Sequence, residues 1–210
     1  AENRGLEGWV ITLQAPSYGP FMQYSQRRDL REKVYRAMNS ICTHDNENNN
    51  FENVRSIVNL RQQLAQVMGY KNYADFVLER RMAQDTEHVT DLMEKLLKSY
   101  RPVALKEVEE IEQLAKEKEG EDFTLQPWDF SHYGYLLKMQ RYNIDSEMLR
   151  PYLPLEQVKE GVFALATRLY GITFEHASDI PVYHPDVVAY RVMDADGSFL
   201  AVLYADFHPR

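Results

Sequence analysis

One cysteine, Cys42, is all the thiol chemistry that the 210 residues offer. It excludes an internal disulfide, leaves no partner thiolate for a metal site and fits a reducing compartment, so the cytoplasm is the expected location. Glycine and proline number nine each and are spread thinly, which leaves neither a flexible linker nor a glycine-rich loop able to cradle a phosphate. No apolar run approaches the roughly 20 residues of a membrane span, so no membrane partner is expected. Ala1–Gly5 has no apolar core of the kind a secretory signal needs, and a signal upstream of Ala1 stays open. Positive charge is also short: 24 basic residues stand against 32 acidic ones, and a net charge of -8 argues against a nucleic-acid partner.

What is present is a globular composition, with 44% hydrophobic and 27% charged residues, enough to build a core without metal or disulfide. Trp9, Ile11 and Leu13 alternate as a short strand would, and Ala15-Pro16-Ser17 and Gly19-Pro20 break that pattern. From about Gln26 the period becomes helical. Leu30, Val34, Met38 and Ile41 make one stripe; Val54, Ile57, Val58, Leu64, Ala65 and Met68 make a second, closed by Gly69. Asn72 can cap a short helix running to Met82. A long helix starts at the Asp85-Thr86 cap with Val89, Leu92, Met93, Leu96, Leu97 and Tyr100. Pro102 should kink or split it before Val108, Ile111 and Leu114, and Gly120 should end it.

Asp129 is placed to cap the next helix, and Asp145 a short one from Ser146 to Tyr152. Pro154 suits the first turn of a helix whose inner face would be Val158, Val162, Leu165 and Leu169, ended by Gly171. Val187–Met193 and Phe199–Phe207 then read as a hairpin around Asp194-Ala195-Asp196-Gly197. The expected fold is mainly α, a multi-helix array with a small antiparallel β-hairpin at the C-terminal end. Its expected parts are an extended N-terminal segment (1–25), a helical part (26–171) and a β-containing part (172–210), together a single piece of something larger.

Catalytic chemistry is hard to find in these residues. None of the six histidines is followed by Glu and no two lie four apart, so the zinc-binding His-Glu-x-x-His helix is missing. Glu107, Glu109, Glu110 and Glu112 read as the solvated face of the long helix, with Lys106, Lys116 and Lys118 nearby. Arg27, Arg28, Arg31, Lys33 and Arg36 read as a salt-bridged surface edge, interrupted by Asp29 and Glu32. The segment Asp179–Val187 is more singular, because Pro181 and Pro185 bracket Tyr183-His184 on the way into the hairpin. Those two side chains could line a cleft, or they could lock an irregular connection; the restricted φ of proline favours the lock. No catalytic residue and no metal ligand is named.

The same segment carries a resemblance. Asp179–Val187, then Tyr190-Arg191-Val192-Met193-Asp194, Asp196-Gly197 and Leu203-Tyr204-Ala205-Asp206-Phe207 with Arg210, resembles the stretch before the zinc helix in dipeptidyl carboxypeptidases of the thimet oligopeptidase family of zinc metallopeptidases. Gln126-Pro127-Trp128-Asp129 with Tyr133, Leu149–Leu153, Glu160–Phe163 and Leu169–Phe174 are similar to that subfamily in the same order. So are Thr12-Leu13, Pro16–Tyr18 and Arg28–Glu32. The resemblance implies a fragment that ends before the zinc helix, inactive alone, with zinc belonging to the intact parent and no cofactor here. It implies helices that form cleft wall, a hairpin near the substrate, and Tyr204, Asp206 and Arg210 as candidate cleft contacts. The implied partners are the remainder of the parent chain and, for that parent, short peptides; exposed apolar surface would favour self-association. An independent helical scaffold or partner-binding module, and a fragment of a related oligoendopeptidase, are the other readings.

Overall fold

The computed structural model describes Gly5 and residues 7–208. The chain divides into two compact units, Ala1–Tyr142 and Asn143–Arg210.

The first unit is helical: α1 (Ala15–Tyr24), α2 (Arg28–Asn39), α3 (Phe51–Val67), α4 (Tyr73–Leu78), α5 (Thr86–Glu119) and α6 (Phe130–Tyr142). The strand expected over residues 9–13 does not form, and α1 occupies the stretch where two prolines suggested only a break. Pro16 sits in the first turn, where a missing N–H costs nothing. Pro20 forfeits a single bond, to the carbonyl of Pro16, within a helix anchored by the buried Met22. Likewise α5 runs through Pro102 unsplit for 34 residues. Asn72 and Asp85 cap α4 and α5 as expected, accepting from the amides of Asp75 and His88 at 2.9 Å and 2.8 Å. Helix α4 ends at Leu78, short of Met82. Gly69, at φ +85°, closes α3: its N–H donates to the carbonyl of Gln66 and that of Tyr70 to Ala65.

The core of this unit lies where the second half of α5 meets α6. Ile111, Ala115 and Tyr133 are buried there, with Phe123, Leu125, Leu136 and Leu137 packed around them. The other expected stripes stay largely exposed. On α3 only Ala65 is buried, and Leu92, Met93, Leu96, Leu97 and Tyr100 of α5 all face solvent.

The second unit opens with two 3-10 turns, Ser146–Met148 and Arg150–Tyr152, the first capped by Asp145. Helix α7 (Leu155–Tyr170) follows, with Pro154 one residue before it. An antiparallel sheet of β1 (Thr173–His176), β2 (Val188–Met193) and β3 (Phe199–Ala205) completes it, in the order β1-β2-β3. The expected hairpin is β2–β3, with Gly197 at φ +82° in its turn. Strand β1 adds a third row, pairing Phe174 with Val192; four residues including a Glu and a His give too little alternation to announce it.

Helix α7 packs with the face opposite to the expected one. Phe163 stacks on Phe174 with centroids 4.1 Å apart and meets Tyr190 edge-on at 5.0 Å. Val158, Val162, Leu165 and Leu169 point to solvent, 42% to 62% exposed. The helix is apolar on two sides, and the aromatic side takes the sheet.

Candidate functional site

Of the candidate cleft residues, Tyr204 lies in the C-terminal end of β3 and Asp206 directly follows the strand. Arg210 lies outside the described residues. Tyr204 and Asp206 are two positions apart. Both turn to the Asp179–Val187 connection. The Tyr183 hydroxyl donates to Oδ2 of Asp206 at 2.7 Å, and the Tyr204 hydroxyl donates to the carbonyl of Pro181 at 3.4 Å. The rings of Tyr183 and Tyr204 lie 6.5 Å apart, tilted by 50°.

Further contacts fix the rest of the connection. Nδ1 of His184 accepts from the amide of Asp186 at 3.2 Å, and the amide of Val187 donates to the carbonyl of His184 at 3.1 Å. Val187 is buried, and the amide of Ala177 donates to the carbonyl of Ala189. Arg191 on β2 holds Asp179 in an ion pair that keeps this carboxyl below its usual range. The segment is thus tied to the sheet at Asp179, Pro181 and Tyr183, which is the locking role that the prolines suggested. Tyr204 and Asp206 serve the lock while remaining exposed.

The basic edge of α2 corrects an expectation. Arg31 is not surface: it is 1% exposed and Asp129 is 0% exposed. Arg31 Nη2 donates to Oδ1 of Asp129 at 2.9 Å, Nη1 to the carbonyl of Ser25 at 2.7 Å, and Nε to the carbonyl of Trp128 at 3.2 Å. Arg28 reaches the same carboxylate through Nη2 at 2.7 Å and lies 4.4 Å over the Phe123 ring. Burial pushes the Asp129 carboxyl up, but the hydrogen bonds from Arg28, Arg31 and the amide of Gln126 outweigh it and hold it below the ordinary value. The carboxylate expected to cap α6 therefore ties α2 to the segment before α6. Nothing in the local pattern of α2 marks Arg31 apart from Arg27 or Arg36.

The histidines of the described residues are dispersed. His44 pairs with Ser40, His88 with Asp85, and His132 Nδ1 with the carbonyl of Gln23 at 2.9 Å. Glu110 and Glu112 of the acidic run are engaged by Arg141 at 2.9 Å and Lys116 at 3.1 Å. Among the described residues, no three His, Cys, Asp or Glu side chains converge as a metal would require. Among the same residues, no helix is long and apolar enough to cross a membrane.

Comparison with known proteins supplies the wider frame. The model of peptidase family M3 matches residues 21–210. Oligopeptidase A of Escherichia coli (strain K12) is 36% identical over 214 residues, covering 100% of this chain and 31% of its own. Organellar oligopeptidase A, chloroplastic/mitochondrial, of Arabidopsis thaliana is 37% identical over 204 residues, 96% of this chain and 26% of its own. Dipeptidyl carboxypeptidase of Escherichia coli (strain K12) is 32% identical over 212 residues, again 100% of this chain and 31% of its own. The chain spans about a third of the length of the relatives it matches. With the family model covering all but its first 20 residues, the chain belongs to peptidase family M3.

Proposed function

We propose that this chain is a non-catalytic portion of a cytoplasmic zinc peptidase that cleaves short peptides, releasing dipeptides from their C-termini. The observation that supports it is alignment over the whole chain with relatives named oligopeptidase A and dipeptidyl carboxypeptidase, across only 31% of their length. In this reading the remainder of the parent supplies zinc ligands and the general base. The helices with unpartnered apolar stripes supply cleft wall. Tyr204, Asp206 and Arg210 are the residues assigned to contact with the substrate.

Cleavage of oligopeptides without restriction to C-terminal dipeptides is the second reading. It is favoured by the higher identity to the proteins named oligopeptidase A, 36% against 32%. Product analysis on C-terminally blocked and free peptides separates the two, because dipeptide release requires the free end.

The site assignment is tested in the intact peptidase with Tyr204→Ala, Asp206→Ala and Arg210→Ala, each beside Tyr183→Phe, which removes only the hydroxyl that holds the connection. Raised KM or lowered kcat is expected for the three, and unaltered kinetics in all of them discards the assignment.

A further inference from the structure

Strand β3 ends at Ala205, whose ladder partner is Val188, so Asp206 lies one residue beyond the last paired position. The ladder does not fix this residue, and an aspartate there samples several rotamers unless a partner holds it. Tyr183 is such a partner: its hydroxyl donates to Oδ2 of Asp206 at 2.7 Å, across 23 residues of sequence. At this length the bond from a hydroxyl to a carboxylate is of the stronger, charge-assisted kind.

The donor is itself held. Pro181 and Pro185 restrict the backbone on either side of Tyr183-His184. Arg191 grips Asp179 at one end of the connection, and the buried Val187 anchors the other. Between them the Tyr204 hydroxyl donates to the carbonyl of Pro181 at 3.4 Å. None of these contacts uses the Tyr183 hydroxyl, so that group is separable from the lock. What it adds is a fixed direction for the Asp206 carboxylate.

We propose that Tyr183 is a positioning residue, whose hydroxyl orders the Asp206 carboxylate before substrate arrives. This rests on the reading above that Asp206 contacts the substrate. A carboxylate that is already ordered gives up less side-chain freedom on binding than a free one. The benefit is the same in the bound substrate and in the transition state, so its loss raises KM and leaves kcat alone.

Steady-state kinetics of the intact peptidase on a short peptide with a free C-terminus test it, through Tyr183→Phe, Asp206→Ala and the double variant. Tyr183→Phe is expected to raise KM about threefold to tenfold, the span of one hydrogen bond, with kcat within about twofold and an unchanged urea midpoint. In the double variant KM should match that of Asp206→Ala alone, because the hydroxyl has nothing left to orient. If Tyr183→Phe leaves KM untouched while Asp206→Ala raises it, the positioning role is overturned and the contact of Asp206 stands. Effects that multiply in the double variant overturn it too, since the hydroxyl would then act apart from Asp206. So does a loss confined to kcat, or a KM change that a lower urea midpoint accompanies. If Asp206→Ala is silent, the substrate contact itself fails, and the positioning role with it.

Discussion

Arg31 donates to Asp129 across 98 residues of sequence, at 2.9 Å, with both side chains withdrawn from solvent. A buried pair of this kind adds little over an apolar one of the same shape, yet it is costly to break from one side. Asp129→Asn leaves Arg31 buried without its counter-charge. It is expected to destabilise the first unit by about 3–5 kcal/mol, read as a lower urea midpoint. Because the Asp129 carboxyl titrates below its unfolded value, its contribution is fully present above about pH 4 and is lost as the pH falls through the folded value. The variant should therefore also lose less stability than the wild type between about pH 4 and pH 2.

His132 carries a second pH dependence of the same sign. Burial holds its imidazole below the usual histidine value, against the pull of the Gln23 carbonyl on its ring. The unfolded chain then takes up the proton first, and stability declines as the pH drops below about 6.5. His132→Gln should flatten the urea midpoint between pH 6.5 and pH 5. An equal slope in both proteins would assign the dependence to other groups.

Gly171 ends α7 at φ +74°, and a Cβ built there would lie 3.1 Å from Cβ of Ala195 in the hairpin turn. Gly171→Ala meets two penalties, the left-handed backbone and a contact that requires the turn to give way. A loss of about 1–2 kcal/mol is expected in thermal or urea unfolding of the second unit. Gly171→Ala with Ala195→Gly should recover part of it, since the double variant relieves the contact but not the backbone.

Local chemistry made much of this fold legible in the sequence. Asn72, Asp85, Gly69, Gly171 and the Asp194–Gly197 turn each act within four residues, and each stands where its own residue type demands. Contacts between distant segments were not legible. Whether α7 packs through Phe163 or through Val158, Val162, Leu165 and Leu169 depends on Phe174 and Tyr190, which its own periodicity does not report. Arg31 differs from Arg27 only by the carboxylate that meets it 98 residues later. At the candidate site, the prolines announced a fixed connection, and the hydrogen bond that fixes it, Tyr183 to Asp206, spans 23 residues.

The most direct test of the central claim is a paired measurement on the purified 210-residue chain: bound zinc by atomic absorption, and peptide cleavage with and without chelator. The expected result is far less than one zinc per chain and intact peptides in both arms. One zinc per chain, with hydrolysis that the chelator abolishes, would contradict it.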